Sequence, residues 1–557
     1  MTSGGSAGAP DPGLRVRWLG RVPFREAAAL QRALHGRPGG DWLLLLEHPS
    51  VYTLGVRADL ANVLVPPASV GADLVKADRG GDVTWHGPGQ LVGYPIVDVP
   101  MGHGSMPAHV RAVEQVVIDA LADLGLPGAG RQDGLPGVWV GDRKIAAVGV
   151  RVTRGRSMHG FALNVDPDLA MFGHIVPCGI RDRGVTSLAA EGATVPMKDV
   201  VDAVVTRAAT TWGRGTVERQ DVSWRPTPAD LSAFSRGAGP GNVAVRLGGR
   251  LAAAGVTEGL SISTRKPAWL RAPVRLGEGY LRTRRTVRDA GLVTVCEEAG
   301  CPNISECWGE GTATFMINGE RCTRACGFCL VDTRHPEPLA PDEPARVAEA
   351  VARMGLAHAV VTAVARDDLH DGGAEAFADT IRAVRRRSPG CAVEVLIPDC
   401  KGDDAALTTI FDARPDVLNH NLETVARLQR AVRPSAGYAR SLAVLARAER
   451  AGLVPKSGII LGMGETDAEV LGALADLAGV GVAIVTLGQY LRPTTNHLPV
   501  ARWVEPSTFE ALKVAGEALG LAHVEASPLT RSSHHARSAL AAVAGGQVRS
   551  QSFQTGS

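Results

Sequence analysis

Aromatic side chains are scarce in this chain of 557 residues, where Phe, Trp and Tyr together make up 4%. Proteins that hold single-stranded nucleic acid rely on aromatic platforms for stacking, so that class of function is disfavoured. An excess of either charge is missing too, with 59 Lys and Arg against 57 Asp and Glu. That balance argues against a general nucleic-acid binder. No apolar run approaches the roughly 18 residues that mark a membrane span. The opening MTSGGSAGAPDPG has neither the basic nor the apolar region of an export signal. The expectation is a cytoplasmic protein whose thiols stay reduced, with no membrane and no nucleic-acid partner. Clustered cysteines in such a setting read as metal-binding or catalytic rather than as disulfides.

Nine cysteines are present, and they are unevenly spread. Cys178 stands alone in the first half. Cys296, Cys301 and Cys307 form a C-x4-C-x5-C triplet. Cys322, Cys326 and Cys329 form a C-x3-C-x2-C triplet. Cys391 and Cys400 follow singly and read as small apolar packing residues. A closed structural zinc site wants four ligands, and cube-shaped iron–sulfur clusters also usually take four cysteines. Three thiols leave one metal corner open to a substrate, a cofactor or a fourth ligand from elsewhere.

The length implies at least two domains. From residue 343 onward helical and strand-like periods take turns: EPARVAEAVARMG, AVVTAV (359–364), AEAFADTIRAVRRR, VEVLI (393–397), DVLNHN (416–421), YARSLAVLARAERAG, KSGIILG (456–462) and VAIVTLGQY (482–490). That alternation predicts parallel βα units and a full or partial α/β barrel. Its active site would lie at the C-terminal ends of the strands. The triplet at 322–329 follows TATFMI (312–317), which places it on the first βα loop at that face. The first half mixes short strands with helices such as AHVRAVEQVVIDALADLG and reads as α+β. GVWVGDRKIAAVGV (137–150) predicts a hairpin turning at Gly141-Asp142, with Lys144 just past the corner. The expected divisions are a disordered 1–14, a domain over 15–220, a linker region over 221–262, a second domain over 263–540 and a flexible tail over 541–557. The linker contains the loop-like SRGAGPGN (235–242) and a short helical stretch around PADLSAF.

The second triplet, with Phe328 just before its third cysteine, resembles the radical S-adenosylmethionine enzymes. With C-x4-C-x5-C upstream the likeness narrows to lipoyl synthase. KPAWLR (266–271), RDDLHDGGA (366–374), NHNLETV (419–425), VRPSAGY (432–438), GMGET (462–466), GQYLRPTTNHLPV (488–500) and RSSHHA (531–536) agree with that family over roughly 265–540. The resemblance implies two [4Fe-4S] clusters and S-adenosylmethionine as cofactors. Cys322, Cys326 and Cys329 would hold the reductive cluster. Cys296, Cys301 and Cys307 would hold the auxiliary one, with Ser533 as an oxygen ligand. That cluster would be the sulfur donor, consumed as two sulfurs enter C6 and C8 of a protein-bound octanoyl chain. Gly372 and Gly373 are candidates for the S-adenosylmethionine amino group, and Arg433 for a carboxylate. His534 stands where the family usually has tyrosine. Reduced ferredoxin or flavodoxin is the implied electron donor.

In the first half, HPSVYTLG (48–55), RGGDVTWHGPGQ (79–90), DRKIAAVGV, HGFALN and PCGI resemble lipoyl(octanoyl) transferase in order, over about 15–220. The implied fold is that of the biotin and lipoate ligases. Cys178 would be the nucleophile, taking an octanoyl group from octanoyl-acyl carrier protein as a thioester, with Lys144 as its activator. Arg79, Gly80, Gly81, Thr84, His86, Ala147, Val148, Gly149, His159, Gly160, Phe161 and Ala162 would shape the substrate pocket. The acyl group would pass to a lysine of lipoyl domains, in the E2 subunits of 2-oxoacid dehydrogenases and in the glycine cleavage H protein. The product of the first resemblance is the substrate of the second, so the chain reads as a fusion of consecutive steps of lipoate biosynthesis. The rival reading is a lipoate ligase-like or inactive first half joined to a different sulfur-inserting radical enzyme.

Overall fold

The structure is a computed structural model that describes residues 13–37, 39–176, 183–224, 251–252, 254–261, 264–271, 277–298, 301–309 and 313–543. Cys178, the PADLSAF stretch and SRGAGPGN lie outside the described residues. The chain divides into two compact units, Met1–Trp224 and Arg225–Ser557.

The first unit is α+β. Its strands are β1 (Leu14–Arg21), β2 (Asp41–Glu47), β3 (Val51–Leu54), β4 (Asp73–Lys76), β5 (Val83–His86), β6 (Gln90–Ile96), β7 (Ala129–Gln132), β8 (Leu135–Val140), β9 (Arg143–Thr153), β10 (Arg156–Asn164), β11 (Gly184–Val185) and β12 (Val217–Asp221). The large sheet runs β12-β1-β2-β6-β10-β9-β8-β7, with β11 beside β9, and a small sheet runs β4-β3-β5. The expected hairpin is there: Val140 pairs with Arg143 across Gly141-Asp142. Gly141 has φ +59, a left-handed value that favours glycine. The helix Ser105–Asp123 buries Val113, Val116, Val117, Ala120 and Leu121, one stripe at helical spacing, against the large sheet. Leu14 is fully buried at the start of β1, inside the stretch expected to be disordered.

The second unit carries an open sheet of eight strands in sequence order: β13 (Val293–Thr294), β14 (Thr314–Ile317), β15 (His358–Ala363), β16 (Ala392–Leu396), β17 (Val417–Asn419), β18 (Pro455–Leu461), β19 (Ile484–Gln489) and β20 (His523–Ala526). From β14 to β20 every neighbour is parallel, and β13 is antiparallel to β14. This is the expected α/β partial barrel. Phe315, Ile317, Val361, Val393 and Val395 face outward onto Val351, Phe377 and Ile381 of the covering helices. Alternation then turns Met316, Thr362, Glu394 and Lys456 to the other face. Elements beyond the sequence expectation help complete the unit, among them the helices Glu278–Asp289, Asp404–Asp412, Asp467–Gly479 and Pro506–Ala518, and β20. Part of the expected linker belongs to this unit: Leu251 is buried, Leu260 N donates to Val500 O at 2.6 Å, and Arg427 donates to Ala254 O. At the other end Val543, in the expected tail, packs with Ala539 on Ile484.

Candidate active sites

In the first unit the residues expected to shape a substrate pocket come from three segments that the sheet draws together. His159, Gly160, Phe161 and Ala162 on β10 face Val150, Gly149, Val148 and Ala147 on β9 in register. Arg79, Gly80 and Gly81 lie over that pair, Gly80 N donating to Val150 O at 3.2 Å. The approach needs glycine on both sides, because a Cβ on Gly149 would come within 3.1 Å of Gly80 O. Arg79 is held by Thr53, its Nη2 donating to the carbonyl at 2.7 Å and to Oγ1 at 2.8 Å. Thr84 pairs with Thr53 across β5 and β3.

A buried polar chain runs beside these residues. His86 Nδ1 donates to Gln90 Oε1 at 2.7 Å, Gln90 Nε2 to Asn164 Oδ1 at 2.9 Å, and Asn164 Nδ2 to Thr186 O at 2.9 Å. Thr186 N in turn donates to Lys144 O. Burial, with His48 and Arg79 adding to it, keeps the His86 imidazole neutral, well below its ordinary pKa. His48 donates from Nδ1 to Val22 O at 2.6 Å and accepts from the Tyr94 hydroxyl at 2.8 Å. His159 sits in a left-handed conformation (φ +59) that a non-glycine residue rarely adopts. Its Nε2 meets Asp78 Oδ1 at 2.7 Å, while Nδ1 is buried with no hydrogen-bond partner. Asp78, Tyr94 and Gln90 were not singled out from sequence, although Gln90 ends the RGGDVTWHGPGQ motif.

Lys144 is the second residue of β9, and its Nζ stands 4.7 Å from the centre of the Trp139 ring, a cation–π contact. The described residues on either side of the expected nucleophile are each anchored. Val176 N donates to Asn62 O, and Gly184-Val185 pair with Arg143-Lys144.

In the second unit the triplet Cys322, Cys326 and Cys329 follows β14, at the C-terminal face. Arg324 N and Ala365 N point at Cys322 Sγ, at 3.4 and 3.3 Å. Gly327 N donates to Val432 O and Gly327 O accepts from Leu498 N, both at 2.9 Å. His497 Nε2 donates to Cys329 O at 3.0 Å and its Nδ1 faces Thr494 Oγ1. Loops that follow three strands, β15, β17 and β19, thus hold one cysteine loop. Burial pushes the Cys322 thiol up to about 11, with the Cys326 sulfur adding to it, and pushes Cys326 and Cys329 up as well. Three soft donors gathered in a dry site suit a cationic metal centre.

Arg433 donates from Nη1 to Asn421 O at 2.7 Å and stands beside Cys326 and the half-buried Glu423. Burial raises the Glu423 carboxyl, and Arg433 opposes the rise. Gly372 and Gly373 have φ +63 and +86 and lead into the helix Ala374–Arg387. A Cβ on Gly373 would lie 2.3 Å from Asn318 Nδ2, so the glycine lets this turn close on the end of β14.

The triplet Cys296, Cys301 and Cys307 lies on the short helices Val295–Glu298 and Ile304–Gly309 and the turn between them. Cys301 N donates to Cys296 O, and burial pushes the Cys296 thiol up to about 11, with Cys301 contributing. The segment around Ser533 arrives over this triplet. Asn303 Nδ2 donates to Leu529 O at 2.7 Å, the Arg531 charge acts on Cys301, and His534 Nε2 lies 4.0 Å from Glu306. Asn421 Nδ2 ties Ser532 Oγ back to β17 at 2.7 Å. Cys391 and Cys400 are buried beside β16 and donate to the nearby carbonyls of Ala392 and Pro398. Among the described residues no helix is long and apolar enough to cross a membrane.

Residues 23–209 match the lipoyl protein ligase A/B catalytic domain, and residues 316–477 match the radical SAM superfamily. A lipoyl synthase of Rubrobacter xylanophilus is 56% identical over 273 residues, 49% of this chain and 85% of that protein. One from Kineococcus radiotolerans is 54% identical over 272 residues, 49% of this chain and 82% of that protein. Among solved structures, a putative lipoate protein ligase from T. acidophilum with bound lipoic acid covers 38% of this chain and 88% of its own, at 18% identity and a TM-score of 0.32.

Proposed function

The chain belongs to the lipoyl synthase family through its second half, with a lipoate ligase/transferase-type catalytic domain fused ahead of it, and on that premise we propose that it performs two consecutive steps on one protein-bound acyl chain. In the first, octanoyl moves from octanoyl-acyl carrier protein to a lipoyl-domain lysine through a Cys178 thioester. In the second, two sulfurs enter C6 and C8 of that octanoyl group. The observation that carries the reading is the pairing of two cysteine triplets in one barrel unit, with the segment around Ser533 meeting the Cys296, Cys301 and Cys307 triplet.

The first step asks for a thiolate, a base and a sheltered carbonyl. Lys144 would take the Cys178 proton as the thiol attacks the octanoyl thioester, then return it to the departing carrier thiolate. The lipoyl-domain amine then displaces Cys178, and the amide forms as the thiol is released. The neutral imidazoles of His48 and His86 keep the pocket free of competing charge. The chain Gln90–Asn164–Thr186 fixes the backbone of Lys144 relative to His86.

In the second step the protein supplies ligands and orientation. Cys322, Cys326 and Cys329 would hold one [4Fe-4S] cluster, and Cys296, Cys301, Cys307 and Ser533 the other. When bound, the first cluster with S-adenosylmethionine supplies radical chemistry and the second supplies sulfur. Arg324, His497 and the N–H groups of Arg324 and Ala365 fix the first cysteine loop. Arg433, Arg324 and Glu423 offer charged groups around Cys326. Serine oxygen is a harder ligand than thiolate and holds iron less firmly, which suits a cluster that must come apart.

The test is mass spectrometry of an apo lipoyl domain incubated anaerobically with reconstituted protein, octanoyl-acyl carrier protein, S-adenosylmethionine and a reductant. Octanoylation followed by gain of two sulfurs is expected. Transfer only from free octanoate and ATP would replace the thioester step with a ligase step. No sulfur on a pre-octanoylated domain, with both clusters present by iron analysis, would overturn the second step.

A further inference from the structure

Two histidines and a carboxylate converge beside the C-x4-C-x5-C triplet without belonging to it. Glu306, His534 and His535 each offer one ligand atom, and these atoms lie within 4.8 Å of one another. Glu306 directly precedes Cys307, and His534 directly follows Ser533. The two imidazoles stack, with ring centres 3.8 Å apart and planes 26° from parallel. Consecutive residues rarely present their rings together; here His535 adopts φ +52, which folds its side chain back alongside His534. Behind the pair, Glu525 Oε1 lies 3.1 Å from His535 Nδ1 and Glu525 Oε2 lies 3.4 Å from His523 Nε2. A carboxylate that orients an imidazole from behind is the usual outer support of a metal-bound histidine.

We infer that Glu306, His534 and His535 form a site for one divalent first-row cation of the zinc type, separate from both cysteine triplets. Two imidazoles and one carboxylate are the donor set such an ion accepts, with water completing its shell. Small side-chain rotations bring donors at these separations to bonding distance. The ion would join the helix that bears Cys307 to the segment that bears Ser533. That placement gives it a role resting on the proposed sulfur donation. Ser533 would be a ligand of the auxiliary cluster, and a redox-inert clip at the next residue would keep its segment seated whether or not that cluster is whole. The cation undergoes no redox change and contributes no atom to the product.

The experiment uses the cluster-loaded full-length protein, prepared anaerobically, stripped of loose metal with a mild chelator and titrated with Zn2+ by calorimetry. Iron and sulfide are counted on the same sample. The expected result is one zinc per chain at unchanged iron content. His535→Ala and Glu306→Gln should each abolish it, and Glu525→Gln should weaken it by roughly tenfold. Zinc uptake that all three variants leave unchanged would overturn the site, as would no uptake by the loaded wild type. Loss of iron or of sulfur insertion speaks to the cluster reading instead, because the zinc count is taken on protein whose clusters are intact.

Discussion

Arg324, between the first two cysteines of the C-x3-C-x2-C triplet, drives its guanidinium into two carboxylates: Nη2 lies 2.6 Å from the fully buried Asp399 and 2.8 Å from Asp367, and Nε lies 2.7 Å from Asp367. The fork therefore clamps the cysteine loop to the ends of both β15 and β16. Lysine carries the charge without the fork and cannot serve two carboxylates in this geometry. Arg324→Lys should loosen the loop and leave Asp399 poorly paired, at a cost of about 3 kcal/mol or more. The expected readout is a reconstituted protein that loses about half its iron, the share of one of two four-iron clusters. Iron per chain equal to wild type would show that the clamp does not hold the cluster loop.

His48 carries a pH dependence whose sign follows from its burial. Its pKa falls from 6.5 to about 4 because the imidazole is buried, and its two hydrogen bonds suit the neutral ring. The folded state thus resists protonation that the unfolded chain accepts. The stability it contributes is complete above about pH 6.5 and is lost as pH falls toward 4. The loss is on the order of 3 kcal/mol across that window. His48→Gln keeps a donor and an acceptor but cannot titrate, so urea denaturation of the first unit should become less pH-dependent. Parallel curves for variant and wild type would rule out His48 as the source.

Lys144 separates the two proposed steps. Lys144→Arg keeps a cation near Trp139 but removes a base that can give up its proton, since arginine stays protonated. Octanoyl transfer should fall by about a hundredfold to ten-thousandfold. Sulfur insertion into a lipoyl domain supplied already octanoylated should proceed at the wild-type rate. A fall in both would mean that the first unit contributes to the second reaction.

The barrel was legible because its strands are apolar, short and spaced by helices, so the period of the sequence switches at every boundary. β20 escaped notice because HVEA offers four residues with little alternation. The cysteine triplets stood out in the sequence by their spacing. What holds them did not: Arg324, Asp367, Asp399 and His497 are far apart in sequence, and only the parallel sheet brings its loop ends together. Asp78 and Tyr94 likewise acquire meaning only through His159 and His48, contacts that no local pattern encodes.

Gly373 tests whether the Gly-Gly turn serves the fold or a ligand. A methyl group on Gly373 meets Asn318 Nδ2 at 2.3 Å and must also adopt φ +86. The neighbouring Gly372, at φ +63, has only ordinary contacts with Cys400, the nearest at 3.5 Å. Gly373→Ala should therefore destabilise the second unit by about 1–3 kcal/mol through overpacking and strain. Gly372→Ala should cost about 1 kcal/mol, the conformational term alone. If the pair also receives the S-adenosylmethionine amino group, Gly372→Ala should weaken S-adenosylmethionine binding beyond what its small stability cost explains. Equilibrium dialysis of cluster-loaded protein reads that out directly. Unchanged affinity in Gly372→Ala, beside a lowered urea midpoint in Gly373→Ala, would assign the turn to packing against Asn318 and leave the ligand to the Arg433 and Glu423 side of the mouth.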